Sequence, residues 1–159
     1  MGVGKTTVSR RLSRVLGAKC ISIDYELDRM GLDYIDETID QVPERNYMLT
    51  IDDLIPKVRK MLQAGQVVIF DGCLYHKSVI EQIEKELRFP HLVLTLEAPV
   101  EKCIARDRGR ETSYGEEAAR TVYKLVTAFR AGTAVDASGG EKATVGRIMD
   151  MIHSNLLAQ

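Results

Sequence analysis

The residues whose types and spacing most clearly do chemistry open the chain: Gly2-Val3-Gly4-Lys5-Thr6-Thr7. Glycines let a backbone curl close to an anion, and a helix starting directly behind them offers unpaired N–H groups and a partial positive charge. In the pattern G-x-x-x-x-G-K-[ST], the lysine reaches the β and γ phosphates and the hydroxyl holds Mg²⁺. Gly4-Lys5-Thr6 supplies the last three letters here. The first Gly of the pattern would fall two places before Met1, and the buried strand that leads into such a loop is missing. We read Gly2, Val3, Gly4, Lys5, Thr6 and Thr7 as a phosphate cradle, with Lys5 acting on the reacting phosphate and Thr6 on the metal. A Gly-Lys-Thr tripeptide arises often by chance; the amphipathic helix right behind it is what gives the signal weight.

Two carboxylates and a group of arginines suit the same chemistry. Asp24 ends the apolar "CISID" and Asp71 follows "QVVIF". In an open parallel sheet, strand C-termini face one crevice, together with the phosphate loop. A Mg-nucleotide site needs an acid for the metal, and transfer to an alcohol benefits from an acid that takes the proton. Asp71 is the candidate for the metal and for catalysis, Asp24 a second catalytic candidate, and the sequence leaves open which is the base. The plain alternative for either is a strand-end Asp that caps the next turn. "CIARDRGR" sets Arg106, Arg108 and Arg110 at the end of a helix. Arg106 and Arg110 share a face if that helix continues, and the pair suits a hinged lid over about 106–115 that neutralises charge on the moving phosphoryl group. Solvated arginines compensating a helix C-terminus are the alternative.

Other residues carry less. Tyr75 and His76 follow Asp71-Gly72 and are positioned to line an acceptor pocket or an exposed turn equally well. Arg29 and Arg45 lie in the mixed segment 25–47, while His91 and His153 have no motif partners. "DRMG" at 28–31 matches D-x-x-G, but no N-K-x-D accompanies it, so we set it aside.

The elements that must position these groups are legible in outline. "TTVSRRLSRVLG" has Val8, Leu12, Val15 and Leu16 at helical spacing, with Arg10, Arg11 and Arg14 opposite and Gly17 as the stop. "CISID" reads as a strand, and 25–47 as a loop with short helical pieces. Thr50 and Asp53 form a capping-box-like start for a helix over about 52–64. Strands follow in "QVVIFDG", "HLVLTLEA" and "TAVDAS", with helices over about 78–88, from Pro99, from Ser113 and Glu116, and from Ser138 and Glu141 to about Leu157. Continuous apolar strand runs alternating with helices predict an α/β fold with a parallel sheet covered on both faces.

Composition sets the frame. One domain over residues 1–159 is expected from the length, with apolar residues at 45% and charged at 28%. A net charge of −1 with dispersed Lys and Arg argues against a broad nucleic-acid surface. Cys20, Cys73 and Cys103 show no C-x-x-C spacing, so neither a zinc site nor a disulfide framework is suggested. No signal peptide and no apolar run near the ~20 residues of a membrane span is seen, which points to the cytoplasm.

Together, "GVGKTT", "ISID", "VVIFDG", "LEAPVEKCIARDRGR" and "AVDASGG" resemble the P-loop small-molecule kinases. That group includes shikimate, gluconate and adenylylsulfate kinases, chloramphenicol phosphotransferase and the zeta-toxin-like kinases. The resemblance spans most of the chain and implies a three-layer, nucleoside-kinase-like P-loop fold whose first central strand is absent from this sequence. It further implies ATP as donor, Mg²⁺ as cofactor and a small-molecule acceptor carrying a hydroxyl or a phosphate. Asp24 matches the acid that faces the acceptor, Asp71 the strand-end acid beside acceptor and metal, and Arg106 with Arg110 the R-x-x-x-R lid. Asp136, Ala137, Ser138 and Gly139 match the loop that packs on adenine, with Ser138 and Gly139 as binding residues. Asp24-Tyr25-Glu26 stands where shikimate kinase carries D-x-D, and no signature fixes one acceptor.

Two rival readings share the nucleotide site. "GVGKTT" also ends the deviant loop of partitioning ATPases, which are dimeric switches, although the second strand lacks their D-x-D-P run and they have no arginine lid. A non-catalytic nucleotide-binding domain is the other. Loss of a central strand would cost more than the ~5–15 kcal/mol that holds a typical domain together, so we expect the true chain to start roughly ten residues earlier.

Overall fold

Helix and strand alternate as the apolar pattern requires. The structure, a computed structural model, describes residues 2–109, 113–128 and 131–157. The chain divides into two units: Leu12–Pro90, and Met1–Arg11 with His91–Gln159. The boundary falls within the first helix, α1 (Lys5–Leu16).

In the Leu12–Pro90 unit, β1 (Lys19–Ser22) and β2 (Val68–Asp71) pair in parallel, with Ser22 opposite Asp71. Between them run α2 (Ile23–Arg29) and α3 (Glu44–Gln63), and α4 (Lys77–Leu87) follows β2. Ile21, Ile23, Leu27, Tyr47, Ile51, Leu54, Ile55, Val58 and Val79 form the core. β1, α2, α3 and α4 supply these residues and Val68 and Phe70 of β2 pack against them, so α2 and α3 are fixed against β2.

Three sequence expectations change here. "CISID" does not stay extended to Asp24: the strand stops at Ser22, whose side chain accepts a hydrogen bond from the Tyr25 N–H and caps α2. Asp24 and Glu26 fall in the first helical turn, where negative charge suits the dipole. The 25–47 segment therefore holds most of a real helix and the start of another. Thr50 is no cap either. It is fully buried in mid-helix, and its hydroxyl donates to the Asn46 carbonyl at 2.9 Å. α3 begins eight residues before the expected Asp52, at Glu44 behind Pro43, and accommodates Pro56 in its interior. Burial of Tyr47, Ile51, Leu54, Ile55 and Val58 on one face stabilises the helix enough to offset the bond that Pro56 cannot donate.

In the other unit, β3 (Leu94–Glu97) and β4 (Thr133–Asp136) pair in parallel, with Glu97 opposite Asp136. α5 (Val100–Arg108) packs on α6 (Glu116–Ala128), and α7 (Glu141–Leu157) packs on β4. Ala98, Cys103, Ile104, Ala119, Val122, Val135, Ala137, Val145 and Ile148 are buried. Ser113 does not cap α6 in the expected way: its hydroxyl donates to Asp107 Oδ2 at 2.9 Å and accepts from the Gly115 N–H. Among the described residues the strands form two two-stranded parallel sheets, and no helix is long and apolar enough to cross a membrane.

Candidate functional site

The phosphate loop belongs to the unit with β3 and β4. Gly2 and Gly4 have φ of +70° and +102°, the conformations that glycine adopts at least cost. Gly2 is buried, and a Cβ placed on it would lie 2.0 Å from the Cys103 carbonyl oxygen. The loop thus rests directly on the α5 backbone. α1 starts at Lys5, and the Val8 N–H closes its first turn on the Gly4 carbonyl at 3.0 Å. Its foremost N–H groups remain available to an anion. Lys5 is half-buried, and Thr6 and Thr7 are exposed in that first turn.

Arg106 turns inward. Its guanidinium donates to the carbonyls of Val3 (3.2 Å), Ala137 (3.0 Å) and Ser138 (3.3 Å), so one side chain links the phosphate loop to the loop after β4. Lys102 Nζ also donates to the Ser138 carbonyl at 3.3 Å. Asp136 Oδ1 accepts from the Ser138 N–H at 2.8 Å, and the Asp136 carbonyl accepts from Arg147 at 3.0 Å. Hydrogen bonds from Ser138, side chain first and backbone second, hold the Asp136 carboxyl below its ordinary range. α7 then begins one residue after Gly140, whose carbonyl accepts from both the N–H and the hydroxyl of Thr144.

These segments enclose a recess of about 140 Å³, lined among others by Val3, Gly4, Thr7, Arg106, Ala137 and Gly140. A cavity of about 150 Å³ accepts benzene, so this recess has room for one ring rather than a whole nucleotide. Of the residues singled out from the sequence, Val3, Gly4, Thr7 and Arg106 line it, and Gly2 supports it from below. Ser138 and Gly139 belong to the adjoining loop, but Ala137 and Gly140 on either side of them form the wall. Glu141, read from the sequence only as part of a helix-start signal, and Thr144, which carried no motif, also line it. Arg110 lies outside the described residues. Arg108 and Arg120 both pair with Glu116, at 2.6 and 2.9 Å, and so are committed to the surface of α6. Burial raises the Cys103 thiol, as expected of a thiol in the core.

The two acids belong to the Leu12–Pro90 unit, and the structure brings them to one turn. Asp71 ends β2 and is only 7% exposed, yet no hydrogen bond or ion pair to its side chain occurs among the described residues. Asp24 is exposed, and its Oδ1 accepts from the Cys73 N–H at 3.1 Å. The hydroxyl of Tyr47 donates to the Cys73 carbonyl at 2.9 Å. Tyr47 stands edge-on to Tyr75 at 6.1 Å and to His76 at 5.8 Å. Burial, above all, pushes both tyrosine hydroxyls far above their ordinary range, so both stay neutral and Tyr47 acts as a hydrogen-bond donor. Tyr75 and His76 are therefore half-buried parts of an aromatic cluster rather than an exposed turn. Tyr47, the residue that joins them to Cys73, was not legible in the sequence. Arg29 is taken up by Glu26 and Asp53.

The fold is that of solved P-loop kinases. The structure is similar to a gluconokinase from Sinorhizobium meliloti 1021, with a TM-score of 0.65 and 13% identity over 98% of this chain and 92% of that one. It is similar also to a candidate kinase from Chloroflexus aurantiacus J-10-fl, with a TM-score of 0.59 and 18% identity over 98% and 91%. The chain belongs to the AAA_33 family of AAA domains, which it matches over residues 1–131. No curated protein matches the sequence. The fold is the α/β P-loop kinase fold that the motifs implied.

Proposed function

We propose that the chain is an ATP-dependent phosphotransferase that moves the γ-phosphoryl group to a hydroxyl or phosphate of a small-molecule acceptor. The observation that carries this reading is the start of α1. Two positive-φ glycines run straight into a helix N-terminus, with Lys5 and Thr6 in the first turn and Arg106 tying the loop to Ala137 and Ser138. The N–H groups and Lys5 would bind the phosphates, and the recess beside Ala137 and Gly140 would take the base. Residues 1–159 act in this reading as one kinase-like domain, with a lid around 106–115 to which Arg110 belongs. Asp71 and Asp24 serve the acceptor side.

The donor set suits Mg²⁺, which keeps several waters and phosphate oxygens and takes only one or two protein groups. The Thr6 hydroxyl in the first turn of α1 is such a group, and the Asp71 carboxylate is a second candidate by its chemistry alone, both being hard oxygens. The ion would neutralise charge on the β and γ phosphates. Lys5 does the same from the protein side, and Arg106 orients the loop that presents the N–H groups. Such an enzyme would work in the cytoplasm, where its donor is.

The test is Mg²⁺-dependent turnover of ATP. Wild-type protein should hydrolyse ATP slowly and transfer labelled phosphate to one member of a metabolite panel. Lys5→Ala should abolish both without lowering the melting midpoint. Protein that is stabilised by nucleotide but neither hydrolyses ATP nor labels any acceptor would rule the enzyme reading out in favour of a binding domain.

A further inference from the structure

The recess beside the phosphate loop has a wall whose backbone acceptors are nearly all in use. We propose that the Glu141 carboxylate selects the base of the bound nucleotide, by accepting a hydrogen bond from an amino group on the ring. The proposal rests on the nucleotide site of the reading above and names the residue that decides which base it prefers.

A base with an exocyclic amine, such as adenine, presents an N–H donor that needs an acceptor. Backbone carbonyls of the loop after β4 would be the ready ones. The Ser138 carbonyl, however, accepts from Arg106 and from Lys102, each at 3.3 Å. The Gly140 carbonyl accepts from both the N–H and the hydroxyl of Thr144. A carbonyl oxygen has two lone pairs, so both of these are filled. The Ala137 carbonyl accepts from Arg106 at 3.0 Å, which leaves it one lone pair beside a guanidinium that can only donate. Thr144 is 1% exposed and turned onto Gly140.

Glu141 stands apart. It is the first residue of α7, is exposed, lines the recess and makes no hydrogen bond or ion pair among the described residues. The space next to it is open, since nothing lies within 4 Å of a Cβ placed on Gly140. A charged carboxylate only accepts, and its hydrogen bonds are stronger than those of a neutral oxygen. Thr7 is the other uncommitted polar side chain of the lining, and it lies in the first turn of α1 with Lys5 and Thr6, at the phosphate end. An acid in the first turn of α7 also suits the helix dipole. That second role is blind to the base, which is how the two can be told apart.

Purine riboside triphosphate differs from ATP only in lacking the 6-amino group, so the ratio of the two dissociation constants isolates that group. In titration calorimetry with Mg²⁺, wild-type protein should bind ATP about 10-fold more tightly than the deaminated analogue, the scale of one hydrogen bond to a charged acceptor. Glu141→Ala should bring the two within about 2-fold of each other by weakening ATP alone. Glu141→Gln keeps an oxygen that accepts but carries no charge, and should retain a preference of about 3-fold. The ratio requires neither turnover nor a known acceptor, and any general effect on the fold cancels from it.

Equal wild-type affinity for the two triphosphates would overturn the proposal, because no group then reads the amine. A preference that survives intact in Glu141→Ala would overturn it as well and give the role to the remaining lone pair of Ala137. An equal loss for both nucleotides in Glu141→Ala, with a lowered melting midpoint, would leave Glu141 as support for α7 and nothing more. If wild-type protein binds neither triphosphate, the nucleotide site fails and the base-reading role falls with it. Binding with the expected ratios but without any turnover would instead retire the phosphotransferase reading alone and leave Glu141 in its role.

Discussion

Replacing Gly2 by alanine tests whether the phosphate loop is built against α5. Two costs add. The residue has φ +70°, where an L side chain costs about 1–2 kcal/mol. Its Cβ would also lie 2.0 Å from the Cys103 carbonyl oxygen, 2.7 Å from the carbonyl carbon and 2.9 Å from Cα. Carbon–oxygen contacts settle near 3.3 Å, so loop or helix backbone must move by about 1.3 Å. Overpacking of this kind costs about 1–3 kcal/mol. Gly4 provides the internal control: φ is +102°, but nothing lies within 4 Å of a Cβ there. Gly4→Ala thus pays only the backbone term. At about 3 °C per kcal/mol for a chain of this size, nucleotide-free protein should melt on the order of 10 °C lower for Gly2→Ala and about 5 °C lower for Gly4→Ala. Scanning calorimetry measures both. Equal shifts would refute the close packing of the loop on Cys103, and no shift in either would refute the positive-φ geometry as well.

Two further outcomes follow from the same unit. Arg106→Lys should weaken ATP binding about 10-fold in titration calorimetry, because an ammonium cannot reach the carbonyls of Val3, Ala137 and Ser138 at once; binding equal to wild type would refute the bridging role. Asp136 has its pKa depressed in the folded state, so its support of the Ser138 N–H is complete above the ordinary carboxylate pKa and is lost as pH falls through the lowered value, below roughly pH 4. Amide exchange at Ser138 should rise across that window, and Asp136→Ala should remove the pH dependence.

What the sequence displayed was set by short-range physics. The phosphate loop, the parallel strands and the helices from α4 onward follow from apolar runs, glycines and prolines that act within a few residues. α3 did not follow. Its first turn, Glu44 to Tyr47, closes the polar and mixed 25–47 segment, and Thr50 mimics a cap by composition alone. Thr50 is satisfied by the Asn46 carbonyl, an acceptor that exists only once the helix has formed. The same holds for Ser113, whose partners Asp107 and Gly115 outcompete the start of α6.

The site shows a related limit. Motif spacing marks which side chains have the right chemistry, and it marked Lys5, Thr6, Asp71, Asp24 and Arg106. It says nothing of which of them are already engaged. Arg106, which suits a mobile charge, donates to three carbonyls; Asp24, one of two candidate bases, accepts from Cys73. Hydrogen-bond engagement is a property of the folded backbone, and Cys73 and Ala137 offer it through groups that every residue type possesses.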